Sequence, residues 1–209
     1  MALKTTVKVG SINNLSDARY CAGMGVDILG FCLETEQSTF VEPTVFLAIR
    51  EWLSGVEYMA EFPTYSAVKI KQTLSQYEEV HHLQVGSAID LALPPQSGAS
   101  LTISVSASDY QSLGDIADVL QQYHSQVRFF VLENPHDSPR LTLDDALRLA
   151  KQYPILLGFG VTAENALSLV EDSAIRGIAL KGSNEIKPGY KDFDDLAEIL
   201  EVLEVDEEY

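Results

Sequence analysis

The chain has 209 residues, of which 46% are hydrophobic and 22% charged, the proportions of an ordinary globular protein rather than a disordered or fibrous one. Its formal net charge of -17 argues against nucleic acid and anionic membrane as partners, while leaving room for a small anion held by local N–H groups. No apolar run is long enough to span a bilayer, the N-terminus has no signal-peptide core, and the two cysteines, Cys21 and Cys32, sit in apolar stretches without metal-ligand spacing. A reducing, cytoplasmic setting is expected.

Short β-rich runs alternate with amphipathic runs along the whole chain. Val7-Lys8-Val9 is the first predicted strand, and Ser16 is placed to cap a helix ending near Met24. Ile28 to Cys32 is nearly all apolar, as in a strand buried on both faces, and Pro43 opens a helix running to Leu53. Val56 to Ala60 and Leu83 to Val85 read as strands with a helix over Ala67 to Leu74 between them. Ala88 to Leu93 suits one or two helical turns before Pro94 and Pro95 stop them. Leu101 to Val105 is a strand, Asp109 to Tyr123 a long amphipathic helix, and Phe129 to Leu132 a strand. Thr142 caps a helix over Leu143 to Tyr153. Ile155 to Gly158 is a strand, Thr162 caps Ala163 to Val170, Gly177 to Leu180 is the last strand and Phe193 to Leu203 the last helix.

Strands alternating with helices imply a parallel sheet covered by helices. An open doubly wound sheet would give the same rhythm with five or six units. The eight units counted here, at about 25 residues each, favour a small closed (β/α)8 barrel, a TIM barrel in one domain over residues 1–209. An acidic tail from about residue 204 closes the chain, and the late excess of Asp and Glu reads as a solvated helix face.

Two stretches are specific. Lys8 to Ala18, followed by Gly25-Val26-Asp27-Ile28-Leu29-Gly30-Phe31, opens the chain. Gly160-Val161-Thr162-Ala163-Glu164-Asn165, then Gly177 to Leu180, Glu185 and Pro188-Gly189-Tyr190-Lys191-Asp192, lies near its end. In order and spacing these resemble the phosphoribosylanthranilate isomerases of tryptophan biosynthesis, from Lys8 to about Leu200; Leu83-Gln84-Val85-Gly86 matches more weakly. The resemblance implies a (β/α)8 barrel and an Amadori rearrangement of a phosphoribosyl amine. That reaction needs an acid at the ring oxygen, a base at the C2′ carbon and a cradle for the phosphate. It implies no cofactor and no metal, a small phosphorylated sugar or related anion as partner, and a monomer or homodimer.

Carried over residue by residue, the resemblance also shows where this chain departs. The family's basic cysteine falls on Gly10, which has no side chain; Ser11 beside it is a weak base. The family's acid, an aspartate, falls on Glu133. The arginine that holds the anthranilate carboxylate falls on Thr39, within Gln37-Ser38-Thr39-Phe40-Val41. The glycine-rich loop after the sixth strand is replaced by Asn134 to Arg140, and the aspartate of the eighth strand by Ala179. The chemical positions thus differ while the scaffold positions match, which implies weak, altered or lost isomerase activity with Glu133 as acid and no clear base. The alternatives are a sugar-phosphate isomerase or lyase of different specificity, or a non-catalytic barrel used as a binding module.

The phosphate cradle is expected at Gly160, Thr162, Lys181, Gly182 and Ser183, where glycine-bearing loops and a helix N-terminus would supply N–H groups and a cation. Strand alternation puts Gly10 on one face with Lys8, Glu133 with Val131, Lys181 with Ala179, and Cys32 and Glu34 with Gly30. Glu133, Lys181, Glu34 and Cys32 would then form an acid/base set at the barrel mouth. The competing reading makes Cys32 a core residue and Lys181 a counter-charge to Glu133 or Glu185. His81 and His82 have no second ligand at metal spacing, and His124 and His136 fall in connections.

Overall fold

The computed structural model describes residues 2–88, 99–135, 137–182 and 193–205, with the backbone of 185–187 and 190–191. Eight parallel strands close into a barrel in sequence order: β1 (Thr6–Gly10), β2 (Ile28–Cys32), β3 (Glu57–Phe62), β4 (His82–Gly86), β5 (Ser100–Ser106), β6 (Phe129–Glu133), β7 (Ile155–Leu157) and β8 (Gly177–Lys181). The closing seam pairs Thr6 with Gly177 and Gly10 with Lys181. This is the predicted (β/α)8 barrel. A two-stranded antiparallel hairpin, β9 (Glu185–Lys187) and β10 (Tyr190–Lys191), follows β8.

The described helices are α1 (Leu15–Gly23), α2 (Pro43–Trp52), α3 (Ala67–Leu74), α4 (Leu113–Tyr123), α5 (Leu143–Ala150), α6 (Ala166–Glu171) and α7 (Asp194–Val202). Residues 89–93 of the helical turns predicted between β4 and β5 lie outside the described residues. Pro43 stands in the first turn of α2, where the missing N–H costs nothing. Thr142 and Asp145 form a reciprocal capping box on α5.

Three predicted helix starts are corrected. Asn14, not Ser16, caps α1, its side-chain oxygen accepting from Asp17 N–H at 2.9 Å. The long helix begins after Ser112, which forms a capping box with Asp115; residues 107–109 are a 3-10 turn. α6 begins at Ala166 rather than Ala163. Asn165 pulls the preceding loop into a turn, accepting from Thr162 N–H at 2.8 Å and donating to the Gly160 carbonyl at 2.8 Å.

The inside of the barrel is layered. Ile28, Met59, Phe129, Val131, Leu156 and Ala179 form an apolar cluster of their own. A second, larger cluster fills the space between strands and helices. Below the plug, at the N-terminal strand ends, Glu57 accepts from His82 at 2.9 Å and from Arg128 at 2.7 Å, and the His82 ring meets the Ser100 hydroxyl. That end of a barrel contributes stability rather than chemistry. Above the plug the lining turns polar.

Candidate active site at the barrel mouth

At the C-terminal strand ends a cavity of about 370 Å3 opens between the loops. Lys8 and Gly10 of β1, Glu61 of β3, Gln84 of β4, Ser104 of β5, Glu133 of β6 and Lys181 of β8 line it, with Gln37 and Thr39 from the β2–α2 loop. Each strand contributes side chains with period two, so one polar residue at a strand end faces the same space as the apolar residue two positions below it.

Two ion pairs face this cavity. Lys181 lies 2.8 Å from Glu133, whose second oxygen accepts from the Ser104 hydroxyl at 2.6 Å. Burial alone would raise the Glu133 carboxyl. Hydrogen bonds from Lys181 and Ser104, and the charges of Lys181 and Lys8, outweigh it and hold the group below its ordinary value of 4.5. Glu133, the acid expected from the resemblance, is therefore a carboxylate at neutral pH.

A pH dependence follows. A carboxyl whose pKa is lower folded than unfolded adds stability above its unfolded value, about 4.3, and that contribution is lost as pH falls through the folded value. Between about pH 5 and pH 3 the native protein is expected to lose unfolding free energy more steeply than Glu133→Gln, as read by urea denaturation. Parallel curves would show that the pairing does not bias this proton.

The second pair is buried. Lys8 and Glu61 are 4% and 8% exposed, and Lys8 Nζ donates to Glu61 Oε1 at 2.5 Å. Glu61 Oε2 accepts from the Ser11 N–H at 3.2 Å. A Cβ on Gly10 would come within 2.6 Å of Glu61 Oε1 and 2.8 Å of Lys8 Nζ, and one on Gly30 would come closer still to the same carboxylate. Two bare α-carbons on adjacent strands thus make the shelf on which Glu61 rests. Sequence reading left position 10 without a base, whereas the folded chain brings a carboxylate from β3 into that space. The apolar run predicts a strand ending at Ala60, one residue short of Glu61, whereas β3 continues to Phe62. The signal for Glu61 was period two from Met59, together with glycines at the matching heights of β1 and β2.

The other expected residues are dispersed. Glu34 is fully buried and accepts from the backbone N–H groups of Thr64 and Tyr65 at 2.7 and 2.6 Å, tying the β2–α2 loop to the loop after β3. Cys32 is also buried, and burial pushes its thiol up. Neither lines the cavity, so of the four-residue acid/base set only Glu133 and Lys181 meet there. Ala179 belongs to the apolar plug. In the expected phosphate cradle, Thr162 N–H is held by Asn165 and Gly182 N–H donates to the Gly10 carbonyl at 2.8 Å. Gly160 is exposed with a positive φ of 67°. Ser183 and His136 lie outside the described residues.

The fold and mouth define a closed (β/α)8 barrel with an ionisable cavity at its C-terminal strand ends. Comparisons place it more narrowly. The chain is 24% identical over 209 aligned residues to an N-(5'-phosphoribosyl)anthranilate isomerase of Xylella fastidiosa, covering 95% of this chain and 91% of the relative. The phosphoribosylanthranilate isomerase of Thermotoga maritima shares the fold with a TM-score of 0.75 at 20% identity, covering 95% and 98% of the two chains. A phosphoribosylanthranilate isomerase in complex with reduced 1-(o-carboxyphenylamino)-1-deoxyribulose 5-phosphate superposes with a TM-score of 0.76 at 19% identity, with the same coverage. A 3-hexulose-6-phosphate synthase matches with a TM-score of 0.66 at 13% identity, over 96% and 100% of the two chains. No protein-family model matches. In fold, and more distantly in sequence, the chain is similar to phosphoribosylanthranilate isomerases.

Proposed function

We propose that the mouth binds a phosphorylated sugar or a related anion, and that the chain is an isomerase- or lyase-type barrel of altered specificity rather than an efficient phosphoribosylanthranilate isomerase. The observation that carries this reading is the convergence of Lys8 and Lys181 on one cavity in a chain of net charge -17. Each lysine is paired with a carboxylate, Lys8 with Glu61 and Lys181 with Glu133, and Asp109 also lines the cavity, so the attraction for an anion rests on drawing the exposed Lys181 away from Glu133. The similar barrels support the ligand class: one of them holds a deoxyribulose 5-phosphate derivative.

In this reading Lys181 turns from Glu133 towards the anion. The loop at Gly160 and Thr162 contributes N–H groups, an anion oxygen replacing the Asn165 carboxamide oxygen at Thr162. Gly182 positions the loop through its bond to Gly10 and is not a free donor. The tryptophan-pathway substrate itself fits less well, because Thr39 offers no guanidinium to a second carboxylate and Glu133 holds no proton to give.

Thermal unfolding tests the ligand class. Ribose 5-phosphate at ten times its Kd is expected to raise Tm by about 3–6 °C, whereas unphosphorylated ribose leaves it unchanged. Lys181→Met should remove most of that shift. Equal responses to the two sugars, or none to either, would leave the barrel without its proposed ligand.

A further inference from the structure

We propose that Glu61 is the proton-abstracting base of this mouth and Lys8 its electrophilic partner, acting on a phosphorylated sugar at the carbon next to a carbonyl or imine. The inference rests on the phosphorylated-sugar reading above and adds to it the residues that move the proton. Nothing in the family resemblance assigns a role to position 61.

The argument is spatial first. Glycines stand at positions 10 and 30, where a Cβ would displace the Glu61 carboxylate from its present place. A pair kept only for stability could be replaced by apolar residues of similar volume at no loss, because burying two charges costs several kcal/mol per ion. Here the pair is present, bare α-carbons stand under it on two strands, and both members face the cavity. Ser11, whose N–H points at Glu61 Oε2, is a non-glycine residue in the left-handed region at φ 59°, a conformation that costs free energy and is concentrated at functional sites. Next to Glu61 in register is Gln84, a cavity-lining residue whose buried Oε1 has no hydrogen-bond partner among the described residues.

The chemistry balances without a co-reactant. A Glu61 oxygen takes the C2 proton of a 2-hydroxy aldehyde, the C–H electron pair becomes the C1=C2 bond of an enediolate, and the charge moves to O1, where the Lys8 ammonium donates to it. Glu61, now the acid, returns the proton to C1, and the C2 hydroxyl proton passes to O1 by way of the Glu133 carboxylate. The product is the ketose. A carboxylate set against an ammonium thus supplies base and electrophile from one pair, as an enolisation requires.

The test uses the intact protein in D2O with ribose 5-phosphate and ribulose 5-phosphate, following deuterium entry at C2 and C1 by NMR, with thermal shift run in parallel on the same ligands. Exchange catalysed by the native protein is expected to fall at least about a hundredfold in Glu61→Gln, with Glu61→Asp between the two, while the thermal shift persists. Should Glu61→Gln fail to fold, Glu61→Asp, which keeps the charge pair, is read in its place: its exchange is expected to fall while its thermal shift persists. Binding without exchange in the native protein, or undiminished exchange in the folded Gln variant, overturns the role of Glu61 and leaves the ligand class standing. No binding of either sugar overturns the ligand class, and the base assignment with it.

Discussion

Lys8→Met is expected to lower the unfolding free energy by about 3–5 kcal/mol, the range for breaking a buried ion pair by removing one partner. Both members are buried, and among the described residues Glu61 without the ammonium retains the Ser11 N–H at 3.2 Å. An uncompensated carboxylate in that position is the source of the loss, so the double variant Lys8→Met/Glu61→Gln should recover most of it. The pair's coupling energy in a double-mutant cycle should exceed about 2 kcal/mol. Lys4 and Glu171, 3.6 Å apart and considerably exposed, provide the contrast: Lys4→Met is expected to change stability by less than about 1 kcal/mol. Urea denaturation of five proteins at neutral pH, the native chain, Lys8→Met, Glu61→Gln, their double variant and Lys4→Met, measures all of this. A Lys8→Met loss below about 1 kcal/mol would mean that water reaches the pair freely and that the glycine shelf does not seat it.

Turnover of phosphoribosylanthranilate is expected to be at least about a hundredfold slower than that of the Thermotoga maritima isomerase assayed beside it. Two features act together. The acid position carries a Glu133 held ionised by Lys181 and Ser104, whereas ring opening needs a proton delivered to oxygen. Thr39, which the resemblance sets in place of the carboxylate-binding arginine, lines the cavity, and a hydroxyl cannot supply the charge or the two-pronged geometry of a guanidinium. A proton-transfer group missing its proton costs 10²–10⁴ in rate as a rule. In the same terms, the gene should not restore growth to a tryptophan auxotroph lacking this isomerase. Turnover within about tenfold of the reference enzyme, collapsing in Glu133→Gln, would show that the mouth rearranges on binding to protonate Glu133.

The strand-helix alternation of this chain, and with it the barrel, is written locally. β2 has the residues predicted for it, the other strands lie within two residues of their predicted ends, and Pro43 and Thr142 open their helices where expected. These features depend on hydrophobic period, proline geometry and side-chain caps, which act over a few residues. The helix starts that moved did so because a competing side chain lay nearby: Asn14 in place of Ser16, Ser112 with Asp115, and Asn165 reshaping the loop after Thr162. The pairing of Glu133 with Lys181 was also legible, since strand ends of one barrel must face one space.

The Lys8–Glu61 pair was not legible in that way. Its parts lie 53 residues apart in sequence, and its shelf uses glycines from two further positions. A glycine in a sequence states only that a side chain is missing. What fills the space is decided when barrel closure sets β1, β2 and β3 side by side at a fixed stagger, bringing the end of one flexible side chain over two bare α-carbons. Register and closure are long-range properties of the sheet, so the charge at the heart of the mouth belongs to the tertiary structure.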